Sequence, residues 1–507
     1  MNVYWMSFSL AFIALGLWFF SSRPAISRIW QLVFFTSVLA YIASLFFQDA
    51  PAVYRLQALA RDFLFLGCFG GLFALLSGKR NWFWVGMGTA LIALVLYVRE
   101  MQGNTFPYLA PITLDKHGEL LVELRPGTSP QALADLQNRF GLRISRAFYP
   151  RNEEITALDE YYVADVPEQQ RRNLAKIIRS LQRNHAVEWV EENEVIQVDP
   201  LLKDVPNAPD DDAARYGLND PGVANLWAFR QMAMDKLYGL LESRKIKPVK
   251  KALVAILDTG VDARHEDLRE NYTSLKTEFD NDPKGHGTHC AGIAAAVSNN
   301  GLGIASFSRD NAFYSVASVK VLGAGGMGTQ KMIIDGMLYA VDRGADVLSM
   351  SLGGPGRPAA QRAYAKAVAY AVSKGAIVVA AAGNSNRNAR DFSPANVKGV
   401  LCVSAVDERM DKAPFSNYVR DVEMAVAAPG VDIYSTIPGD EYVRYSGTSM
   451  AAPQVAGLVA MMKSLKPDLK PEEAFEILKK SGKDTKDSPM TGKFIQPAEA
   501  LRLVIGR

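Results

Sequence analysis

The sequence predicts an α/β fold built on a doubly wound parallel sheet, preceded by apolar helices and a small α+β unit. Three observations predict it. Across 219–507, apolar runs such as 254–257, 377–382 and 400–406 alternate with stretches of helical periodicity. The run ending at Asp258 delivers a carboxylate to its C-terminal end, where open parallel sheets place their functional groups. Residues 1–98 hold six basic and two acidic side chains, so sparse a charge that they are a different material from the rest. The chain of 507 residues has a net charge of +3. It has no basic tract and no interleaving of aromatic with basic residues, so no nucleic-acid partner is expected.

Region 1–98 contains four uncharged apolar runs, at 3–20, 29–47, 63–77 and 82–98. A bilayer core needs about 20 apolar residues per helix. The first, second and fourth runs reach that length, and the shorter third requires Arg61 to snorkel. A cleaved signal peptide is the alternative for the first run, but it lacks a basic leader and three more runs follow. About four transmembrane helices, in contact with lipid, are therefore expected. Arg23 with Arg28, and Lys79 with Arg80, mark two loops as cytoplasmic against Arg55 and Arg61 between them. The chain after Val98 then faces the non-cytoplasmic side, as in an integral protein of a bacterial cell membrane.

A linker at 99–117, with Gly103, Pro107 and Pro111, leads to a unit at 118–199. Its alternating segments 119–124, 142–148, 161–166 and 187–198 read as strands, and 129–140 and 168–183 as helices. That βαββαβ order suggests a ferredoxin-like unit. A polar linker, 200–218, separates it from 219–507. There the strands are 249–257, 315–322, 346–351, 377–382 and 400–406. Helices start at His286, span 329–343 and 359–374, follow Ser449 and close at 471–481.

Three motifs carry chemistry. Gly447-Thr448-Ser449-Met450-Ala451-Ala452-Pro453 sets a small serine at a helix N-terminus, where N–H groups and the dipole favour developing negative charge. Pro453 is expected in the first helical turn, where its missing N–H costs little. Leu257-Asp258-Thr259-Gly260 ends a strand in a carboxylate, and Gly285-His286-Gly287-Thr288-His289 flanks a histidine with glycines. A serine hydroxyl is weak at its own pKa, so an imidazole must take its proton and a carboxylate must hold the tautomer.

In that chain order, with those flanks, the motifs resemble the subtilisin-like serine proteases, the subtilases of peptidase family S8. The resemblance spans 219–507 and implies a subtilisin-like sheet, with Ser449 as nucleophile, His286 as general base and Asp258 as its orienter. Ala380-Ala381-Ala382-Gly383-Asn384 is similar to the family's oxyanion segment, making Asn384 the side-chain donor. Ser351, Leu352 and Gly353, with Gly325 and Gly326, resemble the segments that pair with substrate backbone. By the same resemblance 118–199 is an inhibitor I9-like propeptide, a partner of its own protease; an unrelated adaptor domain is the alternative. Its end falls near Val198-Asp199, but Pro200 follows, which resists cleavage there and moves processing into 201–219 or removes it.

The remaining candidates read as structural. His289 lies on a different helix face from His286, and His265 sits beside Glu266 and Asp267. Cys68, Cys290 and Cys402 indicate no disulfide framework. Catalysis needs no cofactor. Asp267 and 298–303 fall where many subtilases hold a structural calcium, and a hydrogen-bonded turn is the other reading. The expected function is a membrane-anchored serine endopeptidase acting on proteins or peptides through an acyl-enzyme. The alternative is a membrane sensor or peptide-binding protein with a vestigial protease fold. An esterase of the Gly-x-Ser-x-Gly type is disfavoured, because the second glycine is missing.

Overall fold

The computed structural model describes residues 3–46, 52–77, 85–95, 120–198, 213–356 and 361–506. The linker at 99–117 and the stretch from Asp199 through 212 lie outside them. The chain forms two compact units, Met1–Ala110 and Pro111–Arg507.

In the larger unit seven strands make one sheet. Their spatial order is Lys493–Phe494, Ala425–Pro429, Val400–Val406, Ile377–Ala381, Val347–Met350, Ala252–Asp258, Tyr314–Lys320. Every neighbouring pair is parallel. The chain enters at Ala252–Asp258, steps outward to Tyr314–Lys320, then returns to Val347–Met350 and builds away in the other direction. Strand order therefore reverses beside Asp258, which opens a crevice at that strand's C-terminal end.

Both faces are covered, which is why the strands read as continuous apolar runs. Val254, Ile256 and Val379 pack with Cys290, Ile293, Val455 and Val459 from the helices His286–Ala295 and Thr448–Leu465. Their alternates Ala255, Leu257 and Val378 pack on the opposite face with Ile334, Met337 and Ala367 of Gln330–Val341 and Arg362–Ser373. Sequence reasoning did not find the strands Ala425–Pro429 and Lys493–Phe494, the hairpin Ile433–Ile437 with Glu441–Tyr445, or the helix Pro497–Val504. Two residues carry no period, and Ala425-Val426-Ala427-Ala428 suits a strand or a buried helix alike.

The α+β unit has the expected order of elements. Its antiparallel sheet runs Arg143–Arg146, Tyr161–Asp165, Leu120–Leu124, Val187–Glu192. Leu120, Val122, Leu133, Ile177 and Leu181 form its own core. Its other face, with Leu121, Phe148 and Tyr161, joins the core that contains Ile333 and Ala363.

The expected last strand at 187–198 is two strands. It breaks because Asn193 and Glu194 turn to cap the helix Gln330–Val341. Asn193 Oδ1 accepts from Lys331 N at 3.0 Å and Glu194 O from Gln330 N at 2.8 Å. Buried Glu191 does the same for the next helix, accepting from Arg362 N and Ala363 N at 2.8 and 3.2 Å. First-turn N–H groups have no partner inside their own helix, so these caps satisfy real deficits. Beyond the break, Val195–Gln197 leaves its sheet and pairs antiparallel with Met327–Thr329.

The N-terminal unit contains the helices Val3–Phe20, Pro24–Phe46 and Ala52–Leu76, and a shorter one, Val85–Val95. Among the described residues, two segments are long and apolar enough to cross a membrane, Pro24–Ser44 and Leu59–Leu76. The first expected run coincides with the helix Val3–Phe20, the third is the end of a 25-residue helix, and the fourth lies partly outside the described residues, which include Val85–Val95 of it. Phe8 and Phe12 interlock with Phe65, Phe69 and Phe73, while Leu32, Leu39, Leu64 and Leu75 are exposed. Arg61, expected to snorkel, pairs with buried Asp62, which also accepts from Tyr41 Oη at 2.9 Å.

Candidate active site

Asp258 and His286 are fully buried, and His286 Nδ1 lies 2.7 Å from Asp258 Oδ1. The same oxygen accepts from Thr259 N at 2.7 Å. Beside a carboxylate, Nδ1 carries the proton and Nε2 presents a lone pair. That Nε2 is buried without a hydrogen-bond partner, a costly state in a finished core and a useful one for a base. Burial disfavours the charged ring, but the charge and hydrogen bond of Asp258 outweigh it and raise the His286 pKa.

Two features bring this pair together. Gly287 lets the helix seat on the turn after the strand, since a Cβ there would stand 2.1 Å from Gly260 O. Asp282, which sequence reasoning missed, ties both segments. Its Oδ1 accepts from Thr259 Oγ1 and Gly285 N, and its Oδ2 from Thr288 N and Oγ1, all within 2.9 Å. Its place three residues before a helix-opening glycine was the available signal.

Ser449 opens the buried helix Thr448–Leu465. Pro453 lies inside that helix, past the expected first turn. A proline there cannot bond to the carbonyl four residues back, which is that of Ser449. Instead Ser351 Oγ donates to Ser449 O at 2.7 Å, and Cys290 Sγ approaches it at 3.4 Å. The missing helix bond thus fastens the serine to the end of the Val347–Met350 strand and to the histidine's helix. Ser449 Oγ donates to Ser351 O at 3.1 Å, so the structure brings Asp258 to His286 but leaves the hydroxyl turned to a carbonyl. Such bonds often tighten only when substrate arrives.

Asn384 is placed by Thr448, whose N and Oγ1 both donate to its Oδ1 at 2.8 Å. Its Nδ2 is consequently at the other end, 3.4 Å from where a Gly447 Cβ would stand. Thr448 and Asn417 were not foreseen; Asn417 Oδ1 accepts from Ser385 N and Arg387 N and shapes the following loop.

Ser351, Leu352, Gly353 and Ser449 line one cavity with Gln197 of the α+β unit. Gln197 bridges Gly353 in antiparallel fashion, and Val198 N donates to Gly326 O at 2.9 Å. Gly325 lies in the turn Gly323–Gly326, and the pairing edge is Gly326 with Met327–Thr329.

His289 and His265 have structural partners. His289 Nε2 meets Val443 O at 3.0 Å, and burial lowers its pKa to about 3. His265 Nε2 meets Glu441 O at 3.2 Å. Cys290 and Cys402 are buried and free, and burial raises both thiols, Cys402 to about 12. A thiolate nucleophile has no support.

Asp220 and Asp267 are buried beside the loop 298–304, and neither faces a cationic side chain among the described residues. Burial, and then the charge of Asp220, raise the Asp267 pKa to about 7. Every oxygen of the two carboxylates accepts a hydrogen bond, those of Asp220 from Asn299 N and Asn300 N and those of Asp267 from Asn300 Nδ2 and Ile304 N, the pattern of a hydrogen-bonded turn.

Residues 249–494 match Peptidase S8, the subtilase family. Thermitase from Thermoactinomyces vulgaris is 44% identical over 219 residues, covering 42% of this chain and 75% of that protein. Subtilisin DY from Bacillus licheniformis is 37% identical over 259 residues, covering 49% of this chain and 89% of that protein.

Proposed function

The chain belongs to the subtilase family, and from that premise we propose that it is a membrane-anchored serine endopeptidase regulated by its own 118–199 segment. Ser449 attacks the peptide carbonyl as His286 Nε2 takes its proton, and Asp258 holds the ring and stabilises the imidazolium. The tetrahedral oxyanion is met by Asn384 Nδ2 and Ser449 N. His286 then protonates the leaving amine, and water hydrolyses the acyl-enzyme.

One observation carries this reading. An extended segment of the chain, Val195–Val198, already lies between 326–329 and Gly353, beside Ser449. A groove that holds one backbone by strand addition is suited to hold another. The 118–199 segment is then a propeptide that occupies the groove and caps two protease helices. Pro200 disfavours cleavage after Asp199, so processing falls in the polar stretch 201–219 or the segment stays attached.

Ile196→Asp tests the occlusion. Ile196 is buried against the protease core, so an aspartate should undock the strand and raise hydrolysis of a soluble peptide by about tenfold or more. An unchanged rate from folded protein contradicts it.

At Asp267 and the 298–303 loop calcium is the reading that the family resemblance supplies, with a hydrogen-bonded turn as the alternative. Chelation should lower the melting temperature, and calcium should restore it by mass action. The pH dependence has a definite sign. Asp267 without a cation has a pKa raised from 3.8 to about 7, so its contribution is complete below about pH 4 and lost as pH rises through 7. Calcium should abolish that loss; equal melting temperatures in EDTA and millimolar calcium contradict the calcium reading.

The N-terminal helices anchor the chain, and the catalytic unit faces the non-cytoplasmic side. A C-terminal reporter that fluoresces only in the cytoplasm should stay dark, and a bright fusion reverses the topology.

A further inference from the structure

The geometry points to Arg387 as a specificity determinant that favours an acidic side chain, Asp or Glu, immediately before the scissile bond. This rests on the reading of Ser449 as the nucleophile and names the substrate class for that site.

The cavity beside Ser449 contains no carboxylate among its lining residues. One wall is Gly353, Gly354 and Pro355, and the other includes Ser385 and Phe392. Phe392 is 5% exposed, so its ring is fixed in that wall. The guanidinium of Arg387 lies over this ring, 6.0 Å from its centroid. Its backbone is held on both sides, with N donating to Asn417 Oδ1 at 2.8 Å and O accepting from Tyr418 N at 2.9 Å. The side chain is exposed and forms no ion pair among the described residues.

The acids nearby are already engaged. Asp391 pairs with Arg390 at 3.8 Å, and Asp421 accepts from Asn388 Nδ2 at 2.5 Å and pairs with Arg420. Lys412, on the neighbouring segment, reaches Asn386 Oδ1 at 2.9 Å and adds positive charge to the same side. The loop after Asn384 therefore presents net positive charge and a guanidinium that has no ion pair among the described residues. A cation on an aromatic face can receive a carboxylate without a change of position.

The test compares fluorogenic peptides that differ only before the cleaved bond, with Glu, Gln, Phe or Lys, on the full chain in detergent. Glu against Gln isolates the charge at constant shape. Because the cation is exposed, kcat/KM should favour Glu over Gln by about fivefold, and the ratio should fall as salt rises. Arg387→Ala should bring the ratio to one. Arg387→Glu should favour Lys over Gln, and Arg387→Lys should keep part of the Glu preference. Equal rates on Glu and Gln in the unmodified chain, or a preference that survives Arg387→Ala, overturn the assignment while proteolysis stands. No Ser449-dependent cleavage of any peptide overturns the protease reading and this assignment together.

Discussion

Replacing Ser449 with alanine is expected to remove proteolysis almost entirely, by ~10⁶ in kcat, a magnitude taken from subtilisin, a member of the same family. In the proposed mechanism the serine and histidine act as one unit. Without the hydroxyl, His286 Nε2 has no proton to take, and Asp258 orients a ring with nothing to do. Adding His286→Ala to Ser449→Ala should therefore lower the rate little further. The substitution removes one oxygen at a 6%-exposed position, and the bonds that anchor the helix start run to the Ser449 backbone carbonyl. The variant should fold, and circular dichroism with an unchanged melting curve verifies that the loss is chemical. Retained hydrolysis by the pure, folded variant contradicts the role of Ser449.

Asn384→Ala is expected to lose ~10²–10³ in kcat with a smaller change in KM, again a magnitude established on subtilisin. Thr448 grips the Oδ1 end of Asn384 through two hydrogen bonds, so Nδ2 is aimed before any substrate arrives. A donor set in advance stabilises charge that exists only in the transition state, which is why the loss belongs in kcat. Thr448→Val keeps the shape and the backbone bond but removes the Oγ1 bond to Asn384 Oδ1, and should give a milder loss of the same type. A loss confined to KM for Asn384→Ala would mean that this side chain binds substrate and does not meet the oxyanion.

Much of the site was legible because its signals are local. A strand ending in Asp258, glycines around His286 and a serine at a helix start each need only a few neighbouring residues to read. The parallel sheet was legible for the same reason: its central strands are buried on both faces and therefore apolar throughout. What escaped depends on partners distant in sequence. Pro453 reads as harmless until the helix start is known; then it proves to leave the Ser449 carbonyl to Ser351 and Cys290. The break at Asn193 and Glu194 interrupts an apparently single strand, because those residues cap a helix more than 130 positions later. Asp282 looks like a loop acid, and only folding shows it tying Thr259 to Thr288. The long third helix of the N-terminal unit was read short because Arg55, Arg61 and Asp62 interrupt its apolar run, although Arg61 and Asp62 neutralise each other.

The most direct test of the catalytic reading is covalent trapping of the nucleophile. The full chain is incubated with a fluorophosphonate, digested with trypsin and mapped by mass spectrometry, while peptide hydrolysis is followed in parallel. The expected result is one phosphonylated residue, Ser449, formed at the rate at which hydrolysis is lost and absent from His286→Ala. Labelling at another residue, or loss of hydrolysis with Ser449 unmodified, would contradict it.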